Sequence, residues 1–258
     1  MHSHLVMFSG GSGSWATARR VVDQHGSEST RLIFADTKIE DEDLYRFVEE
    51  TQRDLGAELV TLADGRDPWQ VFFDERFLGN SRIDPCSKIL KRNLIRRWLE
   101  ENYPDPAQVT IYLGIDWSEE HRFKKALPHW EPYTVKAPLC EPPLLDKEQI
   151  LEDLRSRGIE SPRLYKMGFP HNNCGGFCIK AGQAHFKHLL EQMPERYAYH
   201  EDKEQEIRSY LDKDVSILKD RRGGTTKPLT LKDFRLRLVN EGEVDPYDWG
   251  GCGCFSED

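Results

Sequence analysis

A loop of glycines and serines near the start of the chain is the stretch best suited to hold a phosphate. In "LVMFSGGSGSWATARRVV", residues 5–22, a short apolar strand ends at Ser9 and a helical pattern begins near Ser14. Backbone N–H groups of such a loop and of the helix start can point at an anion, because the helix dipole places positive charge there. Serine hydroxyls add further donors. The phosphate ligands predicted from this stretch are Ser9, Gly10, Gly11, Ser12, Gly13 and Ser14.

Two close pairs of cysteines form the second candidate site. Cys174 and Cys178 flank "GGF", and Cys252 and Cys254 flank a single glycine. Neither spacing is the C-x-x-C of a usual zinc knuckle, so zinc is the alternative metal rather than the favoured one. Glycines beside the cysteines suit a backbone that wraps around an iron–sulfur cluster. We expect one four-thiolate site that joins the two pairs, with simple packing of the thiols as the alternative.

Three kinds of ligand compete for the glycine loop. A P-loop nucleotide site is excluded, because no lysine and hydroxyl residue follow the glycines. Gly11, Gly13 and Ala16 satisfy the dinucleotide-binding fingerprint, and Asp36 lies about 20 residues further on, where that fingerprint has a ribose-binding acid. A nicotinamide or flavin enzyme is therefore one alternative. A tight turn with no ligand also stays open. A pyrophosphate loop is the third possibility, and it uses the serines as well as the glycines.

Strands that alternate with helices must position these residues. The pattern predicts strands at 5–8, 30–37, 57–62 and 109–116, and helices at 15–25 and 88–103. Thr37 and Glu40 fit a capping box that opens another helix. We therefore predict an α/β fold, a Rossmann-like parallel sheet with helices on both faces. Ligands of such sheets bind at the carboxyl ends of the strands, which is where Ser9, Asp36 and Gly114 fall.

The character of the chain changes after about residue 136. A proline-rich connection is followed by predicted helices at 146–157, near 179–191 and near 200–212, and by the cysteine-bearing stretches. We predict a nucleotide-binding domain over 1–136. Residues 137–258 are predicted to form a mainly helical portion that carries the cysteine metal site.

The sequence resembles one enzyme family at several points. "SGGSGS" resembles the pyrophosphate loop, SGGxDS, of the ATP pyrophosphatase (PP-loop) superfamily, whose members cleave ATP between the α and β phosphates or bind a related sulfonucleotide. "FADTKIEDEDLYRFV", "DPCSKILKR" and "LGIDWSEEHR" are similar to stretches of phosphoadenosine phosphosulfate (PAPS) reductases, in the same order. The likeness covers roughly residues 5–125. Gly13 departs from it, since the family usually has aspartate there, which places metal positioning by this residue in doubt.

The resemblance implies roles for residues outside the loop. Cys86 lies in a segment similar to one that supplies cluster ligands in the reductases, so five cysteines compete for four positions: Cys86, Cys174, Cys178, Cys252 and Cys254. Cys252 and Cys254 are also the candidates for a catalytic sulfur, although the tail lacks the histidine that follows the catalytic cysteine of the reductases. The further nucleotide-binding residues implied are Asp36, Thr37, Lys88, Lys91, Gly114 and Arg122.

The activity that this resemblance favours is adenylation-coupled sulfur transfer. It implies ATP (or PAPS), Mg²⁺ and a 4Fe–4S cluster, with zinc as the alternative to iron. Reduction of PAPS is the alternative reaction. A non-catalytic nucleotide-binding module with structural zinc is the alternative outside enzymes.

Composition limits the partners. The chain of 258 residues has a net charge of −9, so a globally basic nucleic-acid binder is not expected, although a nucleic acid stays open as the sulfur acceptor. No apolar run approaches a membrane span, and the first strand leaves no room for a signal peptide, so we expect a cytoplasmic protein with reduced thiols. The sulfur donor is not specified by the sequence. A homodimer is expected from the family resemblance alone.

Overall fold

A five-stranded parallel sheet lies at the centre of the computed structural model, which describes residues 2–241 and 244–251. Its strands are β1 (Ser3–Met7), β2 (Thr30–Asp36), β3 (Glu58–Ala63), β4 (Val109–Leu113) and β5 (Thr134–Lys136). They are ordered β3–β2–β1–β4–β5 and every neighbouring pair is parallel. The three central strands are buried along almost their whole length, as expected for a sheet that is covered on both faces. The predicted α/β fold class is confirmed.

Helices follow the strands along the chain. The first six are α1 (Ser12–His25), α2 (Glu42–Leu55), α3 (Pro68–Asp74), α4 (Leu94–Asn102), α5 (Glu120–Trp130) and α6 (Lys147–Ser156). The next four are α7 (Arg163–Lys166), α8 (Gln183–Gln192), α9 (Pro194–Leu211) and α10 (Leu231–Glu241). A short helix, Pro85–Ser87, and a π-helical stretch, Lys88–Asn93, precede α4. Two short antiparallel strands, β6 (Leu218–Asp220) and β7 (Lys227–Leu229), form a hairpin.

Successive side chains of each strand point to opposite faces of the sheet, so the apolar core has one part on each face. Val6 of β1 packs in one cluster with Trp15 of α1 and Phe47 of α2. Its neighbour Leu5 packs on the opposite face, in a cluster that includes Trp130 of α5. This is the period of two that a β-strand imposes on its side chains.

Residues after 136 pack directly against the elements of residues 1–136. Leu154 of α6 belongs to the same cluster as Trp15, and a third cluster joins Trp69 and Phe72 of α3 with Phe186 of α8. All five strands of the sheet lie within residues 1–136. The division into two domains at that point stays a prediction.

Several element boundaries differ from the sequence-based prediction. Helix α2 is capped by Asp41, whose Oδ1 accepts from the N–H of Asp43 at 3.0 Å, so the capping-box prediction was wrong. The Thr37 hydroxyl does bond the Glu40 carboxylate at 2.8 Å, but this contact precedes the helix. The sequence pattern also did not reveal β5 or α3.

The order of the strands reverses between β1 and β4. Chain connections leave these two neighbours in opposite directions, which opens a crevice at their carboxyl ends and makes it the expected ligand position in an open α/β sheet. Within the described part of the chain, no helix combines the length and apolar character needed to cross a membrane.

Candidate functional site: a phosphate cleft beside a cysteine cavity

A cleft of about 230 Å³ lies at the carboxyl ends of β1 and β4, and it is named the phosphate cleft after the ligand that the sequence predicts for its glycine loop. The glycine loop forms one wall, and the stretch after β4 forms another. Residues from the second half of the chain complete it. The lining residues that the sequence predicted are Ser9, Gly11, Ser12, Gly13, Ser14, Gly114 and Arg122.

The loop is held in shape by its own hydrogen bonds. The Ser14 hydroxyl donates to the carbonyl of Gly11 at 2.8 Å and accepts from the Gly11 N–H at 3.2 Å. Helix α1 starts at Ser12, inside the loop, and its first turn lines the cleft. Because the first turn of a helix has N–H groups without intrahelical acceptors, this end of α1 suits an anion.

The end of β4 must come very close to this helix start. A Cβ atom at Gly114 would lie 2.9 Å from the backbone nitrogen and Cα of Ser14, so only glycine fits there. At Gly13 the nearest neighbour of an added Cβ would be the Gly114 carbonyl oxygen, 3.4 Å away. The close approach of β4 to α1 fixes the width of the cleft.

The opposite wall comes from residues 147–173. The buried Asn172 donates from Nδ2 to the Gly10 carbonyl at 2.9 Å, and the Tyr165 hydroxyl accepts from the Ser12 N–H at 3.2 Å. These two bonds fasten the second half of the chain to the glycine loop.

Both signs of charge line the cleft. Arg122 forms an ion pair with Glu119 at 2.6 Å, and Asp116 accepts from the backbone and hydroxyl of Ser118. Lys147 lies with its Nζ 4.2 Å from the centroid of the Tyr165 ring. The cations can bind phosphate oxygens, and carboxylates with phosphate oxygens are the usual ligands of Mg²⁺.

Three cysteines meet in a separate small cavity of about 30 Å³. Cys86, Cys174 and Cys178 line it, and so does the buried Lys91. Burial raises the pKa of the Cys86 thiol to about 12 and that of Cys174 well above its ordinary value. These thiols are therefore neutral in the metal-free protein at neutral pH.

A buried carboxylate ties this cavity to the strand end of β2. Glu40 accepts from the backbone N–H of Cys174 and from Thr37, and lies 3.7 Å from the ammonium of Lys91. The backbone at Cys174 then passes through two glycines, Gly175 and Gly176, and all three have positive φ angles between 52° and 82°. This turn directs the following chain toward Cys178.

The phosphate cleft and the cysteine cavity are connected through shared residues. His171 and Asn173 line the cleft and also a third cavity, of about 20 Å³, which Cys178 lines too. Cys178 in turn lines the cysteine cavity. Gly251 lies at the third cavity, where the backbone of residues 249–251 bonds to that of residues 180–182. The last described residue thus lies beside Cys178.

The described cysteines alone do not complete a metal centre. Within residues 2–241 and 244–251, no group of three or more His, Cys, Asp or Glu side chains is arranged to hold a metal ion. Cys252 and Cys254, which the sequence predicts as ligands and as catalytic residues, lie outside the described residues. A four-thiolate centre would need at least one of them in addition to Cys86, Cys174 and Cys178.

The remaining predicted nucleotide ligands lie elsewhere. Lys88 is exposed, and Thr37 and Lys91 line the cysteine cavity rather than the cleft. Burial alone would raise the pKa of Asp36, but hydrogen bonds from Lys38 and Tyr45 lower it. Both Asp36 oxygens therefore already accept hydrogen bonds within the protein, which does not favour a ribose-binding acid.

Sequence reasoning missed the wall that closes the cleft. Lys147, Tyr165 and Asn172 belong to no motif, and they follow the loop by more than 130 residues. The only local signal was "HNNCGGFC", where polar residues directly precede the first cysteine of the pair.

Comparisons with known proteins give distant matches. No family model matches the chain. An uncharacterised protein of Methanocaldococcus jannaschii is 25% identical over 212 residues, which cover 81% of this chain and 42% of that protein. The chain therefore spans less than half the length of this curated relative.

Two solved structures are among the matches, both with low similarity. A PAPS reductase from Candida auris in a phosphate complex is 16% identical, with a TM-score of 0.45 over 64% of this chain and 78% of that one. An NH₃-dependent NAD synthetase from Campylobacter jejuni with a nitrate ion is 15% identical, with a TM-score of 0.40 over 81% and 82% of the two chains. The fold assignment rests on the strands and helices described above.

Proposed function

We propose that this chain is a PAPS reductase-like PP-loop enzyme, which binds ATP or a related adenine nucleotide and supports adenylation-coupled sulfur transfer. One observation carries the proposal: the phosphate cleft and the cysteine cavity are joined through His171, Asn173 and Cys178. An anion site and several thiols at adjoining cavities suit a reaction that uses both a nucleotide and sulfur.

The glycine loop would bind the β and γ phosphates of ATP. The first residues of α1 and the cations Arg122 and Lys147 line the cleft beside the loop. Since Gly13 carries no carboxylate, Asp116 and Glu119 are the described acids that would share Mg²⁺ with the phosphates. Mg²⁺ would offset the negative charge that develops on the leaving pyrophosphate.

The reaction takes place in two displacements. An oxygen of the acceptor attacks the α phosphorus of ATP, and the bond to the β phosphate breaks, releasing pyrophosphate. A sulfur nucleophile at the sulfide level then forms a bond to the carbon that bears the adenylated oxygen, and the C–O bond breaks with AMP as the leaving group. The acceptor is a small metabolite or a nucleic acid, and its carbon gains sulfur in place of oxygen without net oxidation.

The cysteines would hold a metal centre beside this chemistry. Cys86, Cys174 and Cys178, with a cysteine of the tail, would supply four thiolates to a 4Fe–4S cluster, or to zinc as the alternative. Such a cluster supplies sulfur-binding or electron-transfer chemistry when it is present. Metal binding must also release the protons of the buried thiols.

Nucleotide cleavage is the first test. Incubation of the protein with Mg²⁺ and ATP should form AMP and pyrophosphate, at a rate that an acceptor would increase. The double variant Ser9→Ala/Gly11→Ala should raise the Kd for ATP at least tenfold, since it alters the loop that binds the phosphates. Wild-type protein that binds neither ATP nor PAPS would refute the proposal. ATP binding without cleavage would favour the non-catalytic module, and release of sulfite from PAPS would favour the reductase.

Metal analysis after anaerobic purification is the second test. We expect about four irons per chain and broad visible absorption, the features of a four-thiolate cluster. Cys174→Ser should lose the metal. Cys140→Ser is the matched control, because the Cys140 thiol points at the Ile115 carbonyl, 3.5 Å away, and does not line the cysteine cavity. One zinc without colour would instead make the site structural.

A further inference from the structure

The first N–H group of helix α1 already has a hydrogen-bond acceptor. The Ser12 N–H has no acceptor within its helix, and the Tyr165 hydroxyl supplies one at 3.2 Å. An oxygen at this place has the position that an anion oxygen takes at a helix start. A phosphate that binds there must therefore replace the tyrosine hydroxyl.

A lysine lies on the same tyrosine. The Lys147 ammonium is 4.2 Å from the centroid of the Tyr165 ring and donates to the carbonyl of Pro170 at 2.9 Å. Both partners are neutral, and no carboxylate in the described part of the chain pairs with Lys147. Because Lys147 lines the phosphate cleft, its charge is available to an anion there.

A third residue of the wall formed by residues 147–173, Asn172, has a buried acceptor without a donor among the described residues. Asn172 lines the cleft and is only 1% exposed, and its Oδ1 has no hydrogen-bond partner within the described residues. Its Nδ2 must face the Gly10 carbonyl, which can only accept, so the orientation of the amide is fixed. A buried acceptor without a donor is costly, and a donor brought by a ligand or its water would satisfy it.

We propose that Lys147 and Tyr165 form a phosphate latch. In the ligand-free protein the Tyr165 hydroxyl accepts from the Ser12 N–H and Lys147 lies on its ring. When a pyrophosphate group enters, one of its oxygens takes the Ser12 N–H, the tyrosine withdraws, and the Lys147 ammonium pairs with the phosphate. This inference rests on the proposed nucleotide site and assigns it a cation that the loop does not contain.

The latch also explains why the second half of the chain belongs to the site. Lys147 begins helix α6 and Tyr165 lies in α7, both beyond residue 136. Residues 1–136 alone would offer the loop and Arg122 but would lack Lys147. A bound phosphate would therefore bridge the two parts of the chain through Lys147, in place of the Ser12–Tyr165 hydrogen bond.

Binding of inorganic pyrophosphate by the full chain tests the latch, with calorimetry as the measurement. Lys147→Met should raise the Kd roughly 10- to 100-fold, because a charge-assisted contact is lost, and Lys147→Arg should restore most of the affinity. Tyr165→Phe removes the competing oxygen and should lower the Kd about two- to tenfold. Lys166→Met is the matched control, since Lys166 pairs with Glu160 and does not line the cleft. It should change the Kd less than twofold.

A second measurement needs no variant. Amine acetylation of the wild-type protein, read by mass spectrometry, should be slowed at Lys147 by pyrophosphate and unchanged at Lys166. If Tyr165→Phe weakens binding tenfold, or if Lys147 is neither protected nor needed, the latch is wrong while the phosphate site stands. If the wild-type protein binds no pyrophosphate or ATP, the proposed function fails as well.

Discussion

Single atoms decide the shape of the phosphate loop. Gly10 has a φ of +76°, a conformation that residues with a side chain rarely adopt, and a Cβ there would lie 2.8 Å from the Leu44 side chain. Gly114 is restricted by space instead, since its Cβ would lie 2.9 Å from the backbone of Ser14. The loop therefore depends on two glycines for two different reasons, and one of them is 100 residues away in the sequence.

Gly114→Ala should disturb both stability and nucleotide binding. The added methyl group must push β4 away from the start of α1, and such overpacking costs about 1–3 kcal/mol. Because that shift moves the N–H groups of the loop, the Kd for ATP should rise as well. Urea unfolding and calorimetry measure the two effects.

Gly13→Ala is the matched control for this substitution. It adds the same methyl group to the same wall of the cleft. Its nearest neighbour there is the Gly114 carbonyl oxygen at 3.4 Å, an ordinary van der Waals contact, whereas the methyl group at Gly114 would lie 2.9 Å from Ser14. We expect its free energy of unfolding to stay close to that of the wild type. Equal losses in the two variants would show that the close approach of β4 to α1 is not the constraint.

The start of helix α2 joins elements from both halves of the chain. Asp41 is fully buried, accepts from the N–H of Asp43, and pairs through Oδ2 with Arg163 at 2.8 Å. The Arg163 backbone N–H also bonds the Asp43 carboxylate at 2.7 Å. One helix cap therefore fastens the segment that leads to Tyr165 against the sheet domain.

Asp41→Ala should destabilise the protein by about 2–4 kcal/mol, as the sum of a lost helix cap and a broken, partly buried ion pair. Thr37→Ala should cost less, about 1 kcal/mol, because Thr37 loses one hydrogen bond and caps no helix. Chemical denaturation of both variants makes the comparison. A larger loss in Thr37→Ala would show that the Thr37–Glu40 hydrogen bond, and not the Asp41 cap, stabilises the start of α2.

Local patterns predicted the parts of the structure that depend on local physics. The buried strands, the loop and most helices follow from apolar periodicity and glycine spacing, which act within one element. The cap of α2 was missed because Thr37 and Asp41 are both residue types that cap helices, and the ion pair with Arg163 and the bond to Asp43 favour the second.

Parts of the site that depend on packing could not be predicted in this way. Lys88 and Lys91 look alike in the sequence, yet one is exposed and the other is buried beside three cysteines. Nothing in the stretch around Lys147 or Tyr165 indicates that it folds back onto the loop. The sequence thus predicted the cleft residues of the loop and missed those of the opposite wall.

On the scale of the whole molecule, the two ends of the parallel strands carry different groups. The phosphate cleft lies at the carboxyl ends of the strands, and helix α1 runs from there toward their amino ends, where it finishes at His25. At those amino ends the His4 ring stacks on His25 with 3.6 Å between centroids, and its Nδ1 lies 2.8 Å from the Tyr112 hydroxyl. The groups that face His4 are thus His25, His2, Lys136 and Tyr112.

This cluster makes the stability of the fold depend on pH. Burial, and then the nearby His25, His2 and Lys136, lower the pKa of His4 from 6.5 to about 4. Between these two values the unfolded chain binds more protons than the folded protein, so stability falls as the pH falls from 6.5 toward 4. At pH 5 the loss from this residue is at most about 2 kcal/mol relative to pH 7.5.

Urea unfolding at pH 7.5 and pH 5.0 measures this loss. His4→Phe keeps a ring against His25 but cannot take up a proton, so the difference in unfolding free energy between the two pH values should shrink in this variant. His121→Gln, at an exposed position of α5, is the control and should leave the difference unchanged. If His4→Phe and the wild type lose the same free energy at pH 5.0, His4 is not the group that senses pH, and His25, whose pKa is also lowered by burial, becomes the residue to replace.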